Sequence, residues 1–114
     1  MKPIKLSAAL LVMFLFSQCG KDTATPIADV DCSTVTYSGV IKSLVASKCA
    51  ISGCHGSGSH DGDFTTYAKI APYANNGSIR QEVLVTMRMP QAGSLTSEQL
   101  GQFQCWLDAG APNN

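Results

Sequence analysis

The sequence predicts an all-α domain of three to four short helices, and three observations lead there. Apolar residues recur at helical spacing in separate segments, two segments open on Ser/Thr-x-x-Gln capping signals, and no stretch alternates clearly as a half-buried strand would. Glycine-rich loops divide the segments.

The first residues form no part of that domain. Lys2 and Lys5 precede an apolar run from Leu6 to Phe16 broken only by Ser7. This is the charged start and short apolar centre of an export signal, and it is shorter than the roughly 20 residues needed to span a bilayer. The run ends at Leu15-Phe16-Ser17-Gln18-Cys19, followed by the polar Gly20-Lys21-Asp22-Thr23. The segment resembles a bacterial lipoprotein signal, with Gln18 where a small residue usually stands. That resemblance implies that residues 1–18 are removed and that Cys19 becomes the lipidated first residue. A plainly cleaved signal is the alternative. An exported protein of the bacterial periplasm or cell envelope, tethered to a lipid bilayer, is expected.

Residues 19–34 read as anchor attachment and linker, because they show no apolar period, and the domain occupies 35–114, with its start near Cys32. Tyr37, Val40, Ile41, Leu44 and Val45 then fall at i, i+3, i+4, i+7 and i+8, one face of a helix. Gly39 inside it is either tolerated or serves close packing against another element. Four glycines from Ser52 to Gly62 exclude a regular element there. A short helix is expected from about Thr65 to Ala71, stopped near Pro72. Asn75-Asn76-Gly77 signals a turn, and Ser78-Ile79-Arg80-Gln81 has the form of a capping box opening a helix with Ile79, Val83 and Met87 on one face. That helix must end before Pro90. A second box, Thr96-Ser97-Glu98-Gln99, opens the last helix, which carries Leu100, Phe103 and Leu107 inward with Trp106 adjoining. Gly110 and Pro112 stop it.

Composition narrows the function. Without Lys2 and Lys5 the chain keeps six basic against eight acidic residues, so no basic stripe remains to hold nucleic acid. At 7% aromatics a domain this small has few large side chains for a core, and a covalent staple or a cofactor is expected. Five cysteines in an exported chain of 114 residues each need a role.

The informative segment is Cys49-Ala50-Ile51-Ser52-Gly53-Cys54-His55, which ends in the Cys-His pair of covalent haem attachment. Two thiols can add across the two vinyl groups of a haem, and the neighbouring histidine then reaches the iron. With a helix running into it, a glycine-rich loop after it, a later Met89-Pro90 and an aromatic-bearing last helix, the chain resembles the small monohaem c-type cytochromes over residues 37–110. The spacer between the cysteines is four residues where the common motif has two. Some multihaem members use four, and the flexible Ser52-Gly53 lets the added residues loop outward. Three other readings of the segment stand beside haem: a Cys49–Cys54 disulfide, a zinc site of Cys49, Cys54, His55 and His60, and unreactive buried thiols.

What the resemblance implies is a bundle of three to four short helices around one haem c, bonded to Cys49 and Cys54, with His55 as the proximal iron ligand. Met89 lies 34 residues past His55 and matches the Met-Pro step that carries the distal ligand in many such proteins. Met87, His60 or an open sixth position are the alternatives. Cys32 lies just before the first helix and Cys105 within the last, elements that pack together in this family, so a disulfide between them is implied, with Cys105 as a buried thiol the alternative. Phe103 and Trp106 read as core aromatics that also reach the helix contact and the haem edge. No catalytic acid or base is evident. The expected role is electron transfer with redox partner proteins at the membrane or in the periplasm, not enzyme catalysis. A haem sensor or oxidase accessory module with an open sixth site, and a haem-free disulfide-stapled lipoprotein domain, are the other readings.

Overall fold

The computed structural model describes residues 24–114. The signal expected at 1–18 and the lipidation expected at Cys19 fall outside the described residues. Among those described the fold is helical and strand-free. A 3-10 turn (Cys32–Thr34) is followed by a π-helical stretch (Tyr37–Ile41) that runs directly into α1 (Lys42–Lys48). After a long loop come α2 (Tyr67–Asn75), a second π-helical stretch (Arg80–Val85) and α3 (Ser97–Asp108).

The first helical unit buries the face its spacing predicts: Tyr37, Ile41 and Val45 are buried, and Val40 and Leu44 half-buried. It opens as a π-helix because the Thr36 carbonyl accepts from both Val40 N–H (3.1 Å) and Ile41 N–H (3.2 Å). The free donors of its first turn are taken by Thr36 Oγ1, which accepts from Gly39 N–H at 3.0 Å, and by Asn114, whose Oδ1 and carbonyl accept from Tyr37 and Ser38 N–H, each at 2.8 Å. Gly39 therefore has a local cause. A Cβ there would lie 2.7 Å from Thr36 Oγ1, so it makes room for the cap and not for a neighbouring element.

Two expected boundaries need correction. Pro72 does not stop α2, which continues through it to Asn75. The missing N–H costs one bond, and beyond it Tyr73 packs against Phe64 while Ala74 is buried, contacts that offset the loss. Nor does Ser78 cap the next helix. Asn76 Oδ1 accepts from Ser78 N–H at 2.9 Å, so the turn residue two positions earlier holds that start. Ile79 and Val83 are buried as their spacing implies, but Met87 has left the helix, with φ at +52°, and is half-buried against the core.

α3 follows its sequence signals. Thr96 and Gln99 form the reciprocal capping box, Leu100, Phe103, Trp106 and Leu107 are buried, and Gly110 at φ +88° ends the helix. Trp106, Phe103, Ile41, Ile70 and Val45 are the most deeply buried large side chains, each contributing about 1.5–3 kcal/mol relative to exposure. The stretch taken from sequence as linker is partly domain. Ala28 N–H donates to the Ser97 carbonyl at 3.0 Å, and a Cβ on the buried Gly101 would collide with the Ala28 carbonyl. Cys32 and Cys105 are joined by a disulfide, their Cα atoms 5.2 Å apart, which clamps this segment to α3.

Candidate functional site

The site is built around the loop that follows α1. Val45, one turn from the end of that helix, accepts at its carbonyl from both Cys49 N–H (2.9 Å) and Ala50 N–H (2.7 Å), which closes the helix and turns the chain. The segment then folds on itself: Cys54 N–H donates to the Ile51 carbonyl (3.1 Å) and His55 N–H to the Cys49 carbonyl (3.0 Å). The two residues beyond the common spacer are therefore absorbed in a tight backbone-bonded turn. Gly53 stands within it at φ +81°, a conformation few residues but glycine adopt easily.

His55 is held on two sides. Its Nδ1 lies 3.0 Å from the Gly62 carbonyl. A carbonyl can only accept, so Nδ1 carries the proton and Nε2 keeps a free lone pair, the arrangement that prepares a histidine for a metal. The ring stacks on Phe64 with centroids 4.1 Å apart and planes at 7°, and Phe64 in turn meets Tyr73 edge-on at 5.1 Å. Gly62, buried at φ +108°, must be glycine here, since a Cβ would sit 2.9 Å from the Tyr73 ring.

The loop itself is fastened by Asp63. Its carboxylate accepts from Gly58 N–H (3.0 Å), Thr65 N–H (2.9 Å), Thr65 Oγ1 (2.5 Å) and Lys69 Nζ (2.6 Å). Lys69 first, then Thr65 and Gly58, hold that carboxyl well below the usual carboxylate range.

His55 faces a cleft of about 530 Å³, within the roughly 300–1,000 Å³ usual for ligand sites. Cys49, Cys54 and His55 line one side, and Met89 lines the cleft with them. Val45, Ile70, Ile79, Val83 and Phe103 supply an apolar lining, while Lys48, Asp61, Glu82 and Gln91 bring polar groups to it. All four residues expected to hold a cofactor are thus brought to one cavity. Met87 and His60 do not line it, and His60 is exposed. Phe103 reaches the cleft, whereas Trp106 does not; its indole N–H donates to the Pro112 carbonyl at 3.0 Å, inside the core.

Cys49 and Cys54 are both free thiols, so the Cys49–Cys54 bridge weighed from sequence is not formed. Burial, with a smaller contribution from the nearby Cys54, pushes the Cys49 thiol up to about 11. It is a neutral S–H at physiological pH and not a reactive thiolate. The zinc alternative is not assembled either. Among the described residues no three His, Cys, Asp or Glu side chains converge as metal ligands, because the exposed His60 stands away from the cleft.

Phe64, Gly62, Asp63 and Tyr73 were not singled out from the sequence. One signal was available: Asp63 two residues before Thr65 is the spacing at which an aspartate caps its own turn. The stacking of Phe64 on His55 has no such local sign. Compared with known protein families, curated proteins and solved structures, the chain matches none.

Proposed function

We propose that this chain is an exported, membrane-tethered electron-transfer protein carrying one covalently bound haem c. The observation that carries the reading is the meeting of Cys49, Cys54, His55 and Met89 on a single, largely apolar cleft. Two thiols for attachment, an imidazole and a thioether are the donors that such a group requires, and the cleft is large enough to enclose much of it. The absence of a match to known families leaves the weight of the proposal on these residues.

Cys49 and Cys54 would hold the group through thioether bonds, each S–H adding across one vinyl C=C with no oxidant consumed. His55 would offer Nε2 to the iron, its ring fixed by Gly62 and Phe64. Met89 would offer its thioether sulfur as a second ligand to the iron. Bound haem supplies one-electron exchange between ferric and ferrous iron. Around it, Val45, Ile70, Ile79, Val83 and Phe103 exclude water, which together with a thioether ligand favours the less charged ferrous form and raises the reduction potential. The chain needs no acid, base or nucleophile for that task. The protein would exchange electrons with redox partners near a membrane to which Cys19 tethers it.

The test is a pyridine-haemochrome spectrum of protein matured alongside a cytochrome assembly system, with denaturing electrophoresis of the same sample. One haem that stays with the unfolded chain is expected. A colourless folded protein, or haem that leaves in acidified organic solvent, overturns the proposal.

A further inference from the structure

Resting on the reading that Met89 serves bound haem, we propose that Glu82 is a positioning residue which aims Met89 into the cleft, with Arg88 as its partner. Three residues of the segment that follows the second π-helical stretch bond back to this one side chain and backbone. Arg88 grips the Glu82 carboxylate as a fork, Nε to Oε2 at 3.0 Å and Nη2 to Oε1 at 2.7 Å. Met89 N–H donates to the Glu82 carbonyl at 3.1 Å, and Thr86 Oγ1 reaches the same carbonyl at 3.4 Å. Between these anchors Met87 stands at φ +52°, the left-handed region, and this is where the chain reverses so that 88 and 89 return to Glu82.

An exposed ion pair by itself contributes little, and the Arg88 side chain is 69% exposed. Here the pair acts on the residue next to Met89, and the backbone bond of Met89 ends on the same Glu82. A planar fork fixes orientation as well as distance. Glu82 also lines the cleft. A ligand loop that spends only a fraction of its time in the competent arrangement binds more weakly by that fraction, so a clasp at 82–89 raises occupancy of the sixth position without touching iron.

The experiment uses the haem-loaded protein with Glu82→Gln and Arg88→Gln, and Arg80→Gln as the control, since Arg80, on the same π-helical stretch as Glu82, pairs with Asp108 of α3 and not with the 86–89 segment. Two readouts are taken: amide hydrogen exchange, and the ferric absorption band that reports thioether bonded to iron. Glu82→Gln and Arg88→Gln are each expected to speed exchange of the Met89 amide about threefold, with α3 unchanged, and to weaken the band in parallel. Arg80→Gln is expected to do neither. Unchanged exchange and an unchanged band in both variants, or equal changes in Arg80→Gln, overturn the inference while leaving the haem reading intact. A wild-type protein without covalent haem overturns the haem reading instead, and with it the role of Glu82 toward an axial ligand.

Discussion

The side of the cleft that carries His55 is braced from several directions, whereas the Met89 segment is tied back to two adjacent residues, Gln81 and Glu82. His55 has a ring hydrogen bond to Gly62, a stacked Phe64 backed by Tyr73, and a loop whose turns are fastened by Asp63. Met89 has its neighbours' bonds to Glu82 and half-buried packing. Rigidity in a chain this small follows from overlapping restraints and not from regular structure, since neither segment is a helix or a strand. One side is built to stay put and the other to adjust.

The strongest way to break that contrast is to strain the braced side. Gly62→Ala places a side chain at a left-handed φ and against the Tyr73 ring, and should cost about 3 kcal/mol in chemical denaturation. A loss under about 1 kcal/mol would mean that the loop yields, and the contrast would fall. Phe64→Ala removes the ring beneath His55; because Phe64 is only half-buried, about 2 kcal/mol is expected, less than for a fully enclosed phenylalanine.

On the other side Met89→Ala should change stability by only about 1 kcal/mol, yet alter the ferric spectrum and lower the potential of the haem-loaded protein. If Met87→Ala produced those spectral changes and Met89→Ala did not, the ligand assignment would pass to Met87.

The smallest expected effect is a pH dependence. The Cys49 thiol titrates higher folded than unfolded, from an ordinary value of 9.0 to about 11. Between those values the folded chain holds a proton that the unfolded chain has released, so stability of the haem-free protein should decline as pH rises from about 9 to about 11. A sulfur in thioether linkage does not titrate, so the loaded protein should show no such decline from this group. Urea unfolding at several alkaline pH values compares the two forms.

Much of this molecule could be read from local chemistry. The Thr96–Gln99 box, the Gly110 stop and the buried faces of the first and last helices depend on residues three or four apart, and each stands where the spacing puts it. The Cys-His pair with its second cysteine, and the Met-Pro step that the family resemblance marks, also stand in the sequence, and the fold brings those four residues to one cleft. What was not readable depends on partners distant in sequence. Pro72 ends nothing because Tyr73 and Ala74 find packing beyond it, and Asn114, 77 positions from Tyr37, takes up the donors that begin the first helix. The π-helical opening of the first unit likewise comes from the Thr36 carbonyl being shared by Val40 and Ile41 N–H, which apolar spacing does not encode. Phe64 carried no pattern at all; only the folded loop brings it under the imidazole.

Docking of the segment at Ala28 against Gly101 sets a distance. Under the proposed attachment of lipid at Cys19, at most residues 19 to 28, and not 19 to 34, could separate the anchor from the domain. At roughly 3.5 Å per extended residue the greatest reach of that stretch is about 30 Å in place of about 50 Å. Ala28 would then stay within about one domain's width of the membrane surface, so a redox partner of the proposed kind, embedded in that surface, would be met by tumbling on a short stalk and not by wandering through the surrounding compartment.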